Sequence, residues 1–553
     1  MDILIFSLLT NFLYLCCGSL IISDKKSDFH SQFNIYFIGI IIVSFISLLL
    51  NFFTPLTTLI NSVVYLLIIV LFTVKTKFIL SKKHLNFLLI SSFLTSLLIV
   101  FSTINRPDAG LYHLPYVSII NENKIVFGLS NIHFRFGHIS ILQYLSAINN
   151  NYLFLDNGIS IPLASIVSFF YLYFFFDIWK IIKKKEKINL SNFFSLFILI
   201  YIAFKISKYS EFGNEAVAHL SFFYLIHCLL KDSLKEINFN KILLISVFAF
   251  INKPTLGLIF IAPLYIFFFQ SNFNLKKKIF SLLSFPAVFL YLWFIKNIIV
   301  SGCAIYPLNI TCSKSLQWGN IEQTINVSSE IQAWSKAWPD RNDQNVTMKE
   351  FNKNFNWVNA WTKKHLKHIL NIIIPYTAVL LLIILYIKFK VRDILIENNK
   401  NLKTRLILCL VISGAGTFSF FFLFPLYRFG YSYIITLISL FFIFIIKNKI
   451  IIKQNILIFK YIFIFCFVVI IAKQTVRIFT NSKNTPWPNI YTLDPNNKIY
   501  PKTKIKIDND FFYYVVEGEN QLCMYGAETP CTNYSVKNLK YSLKKTYTFL
   551  TVN

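Results

Sequence analysis

An all-α polytopic membrane protein is the fold class that three observations predict. Of 553 residues, 56% are hydrophobic, 18% aromatic and 14% charged, whereas soluble domains carry about 25% charged residues. Apolar runs long enough to cross about 30 Å of hydrocarbon recur from end to end of the chain. The Lys and Arg residues behind the formal net charge of +29 gather in short clusters between those runs, which is the distribution that the positive-inside rule produces.

The apolar segments fall at about 2–22, 34–53, 55–75, 84–103, 157–181, 189–206, 214–230, 242–270, 279–300, 371–388, 404–425, 429–446 and 455–477, which gives about 13 transmembrane helices. The first run, MDILIFSLLTNFLYLCCGSL, has no basic n-region and no small-residue cleavage site, so a retained span is expected rather than a signal peptide. The 242–270 run is broken by Lys253 and Pro254 and reads as two short helices. A Lys at a bilayer centre costs about 2.5–3.5 kcal/mol, so Lys253 is expected to face protein or water.

The basic clusters include Lys75 to Lys83, Lys183 to Lys187, Lys276 to Lys278, Lys388 to Arg405 and Lys447 to Lys453. Placing them inside puts 104–156, 207–213, 301–370, the Pro425 to Gly430 turn and the tail 478–553 on the outer face of a cell inner (plasma) membrane. The organisation is then additional N-terminal helices at 1–83, a core at 84–300 with the first outer loop at 104–156, an outer loop at 301–370, C-terminal helices at 371–477, and an outer tail at 478–553. The tail holds FFYYVVEGEN and a Cys pair and is expected to form a small mixed cap. No internal repeat is evident, so a transporter built from inverted repeats gains no support. No soluble segment carries a basic face interleaved with aromatics, which argues against nucleic acid as a partner. No Gly-rich phosphate loop is present, which argues against an ATP-driven function.

Five of the nine cysteines, Cys16, Cys17, Cys228, Cys409 and Cys466, lie in apolar spans and read as packing residues. Cys303 with Cys312 and Cys523 with Cys531 form two close pairs in segments placed outside, where disulfides persist. A disulfide within each pair is expected, with cross-pairing left open.

The segment most informative about chemistry is the first outer loop, which carries Arg106, Asp108, His113, Glu122, Lys124, His133, Arg135 and His138 before an amphipathic stretch, ILQYLSAI. A carboxylate beside His and Arg can take a proton from an acceptor hydroxyl, and cationic neighbours can hold a phosphate. The alternative is a hydrated loop whose Asp caps a helix.

A span ending in an acidic outer loop, then Tyr and Pro, a short amphipathic helix and another span, resembles the GT-C superfamily. These are multispanning glycosyltransferases similar to the protein O-mannosyltransferases and the bacterial aminoarabinose transferases. The resemblance covers about 84–450 and implies an inverting transfer of a sugar from a polyprenyl-phosphate carrier to a glycan, lipid or protein acceptor on the outer face. It implies Asp108 as the base, with Ala109 standing where the family more often has Glu, and three spans precede that loop where the family typically has one. KYSEFGNEAVAHL supplies Glu211 and Glu215 as a second acidic position, INKPTLGLIFIAPL places Lys253 near the carrier path, and PLYRFGYSY sets Arg428 toward a lipid phosphate. His113, Arg135 and His138 complete the expected substrate-binding set. No cofactor is expected and no metal, since a polyprenyl phosphate leaves as a stabilised anion and no cluster has metal-ligand spacing. The chain also resembles a group of bacterial polytopic membrane proteins with a Thr529-Pro530-Cys531-Thr532 tail, and that likeness implies no activity.

Weaker signals have plain alternatives. Asp508-Asn509-Asp510 matches the D-x-D of nucleotide-sugar transferases without their βαβ context, and three Asn-x-Ser/Thr sequons at Asn309, Asn326 and Asn345 are expected in an Asn-rich chain. Trp318, Trp334, Trp338, Trp357 and Trp361 suggest an interfacial belt ahead of a sugar-stacking surface. A polysaccharide polymerase or ligase would rely on Arg135 and Arg341. A flippase or transporter would line a continuous path with Asp177 and Lys253, although Asp177 reads as a local ion pair with Lys180 or a neighbour.

Overall fold

In hydrocarbon every backbone N–H and C=O must be satisfied within its own segment, so long apolar runs become helices. The computed structural model of the protein describes residues 1–22, 29–76, 82–104, 107–184, 188–205, 212–232, 238–269, 283–390, 400–446, 456–493, 499–517, 522–526 and 528–552. Its helices are α1 (Asp2–Ile21), α2 (Phe29–Asn51), α3 (Thr58–Thr76), α4 (Lys82–Ile99), α5 (Leu114–Glu122), α6 (Ile141–Ile148), α7 (Ile161–Lys184), α8 (Leu190–Lys205) and α9 (Glu215–Lys231). They continue as α10 (Phe239–Asn252), α11 (Ile261–Phe269), α12 (Phe285–Ser301), α13 (Ile321–Ser335), α14 (Lys367–Lys390), α15 (Lys400–Leu423), α16 (Tyr427–Ile446) and α17 (Ile456–Asn481), with shorter turns between.

Over the described residues each predicted apolar run is mainly helical, the 242–270 run as two helices, α10 and α11, on either side of a 3₁₀ turn. Among the described residues, eight helices are long and apolar enough to cross a membrane, which makes the chain a multi-pass membrane protein. The other runs are shorter or more polar. Leu190–Lys205, Phe239–Asn252, Pro254–Phe269 and Phe285–Ser301 have 10–17 residues, short of the roughly 20 that about 30 Å demands at 1.5 Å per residue. Lys82–Ile99 opens on two lysines, and Glu215–Lys231 carries a glutamate and two histidines.

Close packing and buried polar contacts join the helices. A Cβ on Gly18 would stand 1.9 Å from the Ile35 carbonyl, and one on Gly39 1.9 Å from the Tyr14 carbonyl, so α1 and α2 touch backbone to backbone. Asn11 of α1 donates to Ser92 of α4 (3.2 Å), and Thr95 of α4 to Ser168 of α7 (3.2 Å). Cations reach across to carbonyls at the C-terminal ends of neighbouring helices. Lys473 donates to Ala203 and Phe204 of the α8 end, Arg477 to Val100 beyond α4, and Arg405 to Leu230 at the end of α9.

Asp177 is buried on α7. It accepts from Ser195 Oγ (2.7 Å) and Asn192 Nδ2 (3.0 Å), and pairs with His227 (3.2 Å) and His30 (3.3 Å). These partners come from α8, α9 and α2, so the local pair with Lys180 gives way to a junction of four helices.

Beyond α17, the regular structure among the described residues of the tail is strand, and it forms the expected small cap. β1 (Lys502–Asp508) and β2 (Phe511–Val516) form an antiparallel hairpin, with β3 (Cys531–Thr532) parallel to β2; β4 (Leu539–Lys544) and β5 (Tyr547–Val552) form a second hairpin. Asp508-Asn509-Asp510 is the turn between β1 and β2 and not part of a βαβ unit. Both predicted disulfides are present, Cys303–Cys312 and Cys523–Cys531.

The tail covers the first loop. Phe127 donates to Thr548 and accepts from Leu550, and its ring stacks on Phe549 at 4.2 Å. The stretch ILQYLSAI is α6, and all eight of its residues are buried, so it is interior rather than amphipathic at the surface. The five tryptophans do not form one belt. Trp318 packs on Phe127 and Phe549, Trp357 and Trp361 are buried against Phe421, and Trp338 lies under Arg341, which leaves Trp334 exposed. Indole N–H groups that find carbonyls explain part of this: Trp318 donates to Ile298 and Trp361 to Pro425.

Candidate functional site

Asp108 lies between the end of α4 and the start of α5, where the chain makes a π-helical turn over Ala109–His113 before Pro115 opens α5. Such turns inside helices often re-aim side chains at functional positions. The tail fixes this one. The Met524 N–H donates to the Gly110 carbonyl at 2.8 Å, and a Cβ on Gly110 would meet Met524 Sδ at 2.2 Å, so any larger residue there would have to displace the Met524 thioether.

Arg428, on the first turn of α16, donates through Nη1 to Asp108 Oδ2 at 2.7 Å, and its Nε stands 3.6 Å from Glu215 Oε1. Glu215 opens α9, where the positive end of the helix favours a carboxylate. Lys253 sits in the break between α10 and the 3₁₀ turn Pro254–Phe260; its Nζ donates to Glu215 Oε1 and to the Arg428 carbonyl, both at 3.2 Å. Arg135, on the 3₁₀ turn Phe134–His138, reaches Asp108 Oδ1 at 3.5 Å. Five segments of the chain thus converge on one ion network.

The network forms one wall of a cavity of about 510 Å³. Tyr112, His113 and His138 also line it, and Ile305, Leu308, Leu423 and Phe424 give it an apolar side. His113 accepts from Gln143 Nε2 at 2.8 Å. Of the predicted set, Asp108, Glu215, His113, Arg135, His138, Lys253 and Arg428 therefore share one cavity. Glu211 and Arg106 lie outside the described residues. Arg341 stacks on Trp338 at 4.0 Å, donates to the Gln344 carbonyl, and does not line the cavity. Among the described residues no group of three His, Cys, Asp or Glu is placed to hold a metal ion.

Sequence reasoning missed His219 and Tyr306. His219 bonds Ser432 Oγ (2.7 Å) and the Arg428 carbonyl (3.0 Å), and so orients the turn that carries Arg428. Its spacing of four from Glu215 puts both on one face of α9, a signal that was readable. Tyr306 packs its ring edge-on to His138 at 5.1 Å, and nothing in the sequence ties residue 306 to residue 138.

Burial alone would raise the Asp108 pKa, but the Arg428 and Arg135 guanidiniums outweigh it and hold the carboxyl below its usual range. Burial also pushes His113 down to about 4 and His138 down to about 3, so both are neutral near pH 7. Among the described charged groups lining the cavity, three cations then face two carboxylates, which leaves an excess of positive charge.

The histidines make stability pH-dependent. An unfolded His binds its proton near 6.5, while folded His113 resists until about 4. Between those values the unfolded chain holds more protons, so stability falls as pH drops through that window. A thermal melt of the detergent-solubilised protein is expected to decline from pH 6.5 to 4, with a shallower decline in His113→Gln. An equal slope in the variant would show that other groups cause it.

No curated protein and no solved structure matches the chain. The family described as Domain of unknown function (DUF8201) matches residues 1–435, and the chain therefore belongs to that family.

Proposed function

We propose that the protein is a membrane glycosyltransferase that moves a sugar from a polyprenyl-phosphate carrier to a hydroxyl-bearing glycan, lipid or protein. One observation carries the reading: a single cavity lined both by an excess of cationic charge around Asp108 and by apolar side chains. A lipid phosphate fits the first, and the chain attached to it fits the second. In this reading about 13 helices span the cell inner membrane, and the first loop, the 301–370 loop and the tail lie on its outer face. The resemblance to GT-C enzymes implies the same arrangement.

Asp108 takes the proton of the acceptor hydroxyl, and the hydroxyl oxygen bonds to the anomeric carbon from the face opposite the phosphate. The bond from that carbon to the phosphate oxygen breaks, its electron pair stays on the phosphate, and the configuration inverts. Arg428 and Lys253 offset the charge on the departing phosphate. Glu215 holds both cations in place between turnovers.

Two features favour this over its rivals. Arg341, which a polymerase or ligase would need, is occupied by Trp338 and backbone carbonyls. Asp177, which a transporter would need, is enclosed by four polar partners and does not line the cavity. The test is release of polyprenyl phosphate from a panel of polyprenyl-phosphate sugars in proteoliposomes. Acceptor-dependent release from one of them is expected; movement of intact carrier across the vesicle bilayer without release would favour a flippase.

A further inference from the structure

The loop between Cys303 and Cys312 is a short, internally braced finger. Its disulfide closes it at the base, the Ala304 N–H donates to the Thr311 carbonyl (3.0 Å), and Thr311 Oγ1 donates to the carbonyls of Leu308 (2.7 Å) and Ile305 (3.1 Å). The root of the finger is buried: Tyr306 packs on His138 and against Gly137, and Asn297 of α12 donates to the Ala304 carbonyl at 2.9 Å. The tip is the reverse. Leu308 is 47% exposed and Ile310 84% exposed, an arrangement that water disfavours and that a packed, cross-linked loop holds in place.

Two chain continuities set the level of this tip. The finger begins two residues after α12 ends at Ser301, and α12 is an apolar helix. The other apolar wall of the cavity comes from the end of α15, a membrane-length helix whose Leu423 is 45% exposed. Leu308 and Leu423 line the same cavity. Apolar side chains held at the ends of apolar helices meet hydrocarbon, and a lipid leaflet is the occupant that such a surface fits.

We propose that the finger is a membrane-inserted lip, with Ile310 among the acyl chains and Leu308 beside the gap through which a lipid chain leaves the cavity between the finger and the end of α15. The position of Ile310 stands without any assigned activity; the exit route past Leu308 rests on the transferase reading and specifies where that substrate's chain lies.

The experiment uses the full chain in phosphatidylethanolamine and phosphatidylglycerol vesicles, with a photo-crosslinking leucine analogue placed at Leu308, at Ile310, or at exposed Glu322 on the first turn of α13. Vesicles are prepared with and without a polyprenyl phosphate, and adducts are read by mass spectrometry. Phospholipid adducts at 310, polyprenyl-phosphate adducts at 308 and neither at 322 are expected. A phospholipid yield at 310 no greater than at 322 overturns the lip. Phospholipid adducts at 310 without a polyprenyl adduct at 308 overturn the exit route. Acceptor-dependent release of polyprenyl phosphate, measured in parallel on vesicles loaded instead with a polyprenyl-phosphate sugar, shows separately whether the transferase reading survives.

Discussion

Asp108→Asn is expected to lower the transfer rate about 10²–10⁴-fold, the range that a positioned general base supplies, with little change in affinity for the carrier. An asparagine at 108 keeps an oxygen that can accept from Arg428, so the turn and the cavity persist while the proton acceptor is lost. The pH profile adds a second readout. In the resting site Arg428 and Arg135 depress the Asp108 carboxyl. An arriving phosphate draws on the same guanidinium and adds negative charge beside the carboxylate, which raises its proton affinity. The acid limb of kcat, which reports the loaded enzyme, should therefore lie at higher pH than the acid limb of kcat/KM. Coincident limbs, or an Asp108→Asn variant with normal turnover, would remove Asp108 from the chemistry.

The second large effect is on binding. Arg428→Ala should weaken capture of a polyprenyl phosphate about 10–100-fold, since a hydrogen bond to a charged group contributes about 1.5–3 kcal/mol and each 1.4 kcal/mol is tenfold. Arg428→Lys should recover little of this. The guanidinium now engages Asp108 through Nη1 while Nε lies beside Glu215, and a single ammonium cannot hold both geometries. Native mass spectrometry of the purified protein titrated with a polyprenyl phosphate reads the affinity directly. Unchanged affinity in Arg428→Ala would place the phosphate elsewhere.

The helices were legible because hydrocarbon leaves the backbone few choices, and the apolar runs in the sequence became helices, one each except for the broken 242–270 run. The break at Lys253 was legible for the same reason: a Lys followed by Pro cannot continue a span, and the chain there leaves α10 and turns into a 3₁₀ segment. Asp108, Lys253 and Arg428 were readable because a charge at the end of an apolar helix is costly and therefore conspicuous. What pairs with what was not readable. The two bonds of Asp108 close over separations of 320 and 27 residues, and only packing decides such partners. Asp177 shows the limit. A Lys three residues away looked sufficient, yet two histidines on other helices meet the carboxylate. The tryptophans of the long loop and the helix at 141–148 misled for one reason: aromatic and amphipathic patterns announce an interface, and here that interface is with the rest of the protein.

The contacts that seat the tail on the first loop also set a timetable. Gly526 docks on Ser118, 408 residues earlier in the chain, and Met524 closes on Gly110 beside Asp108. At about 5–20 residues per second, a ribosome needs about 20–80 s to cover that distance. Throughout that interval the turn bearing Asp108 lacks its cover. A nascent chain, or one whose tail has been clipped, carries that turn without the Met524 contact on Gly110.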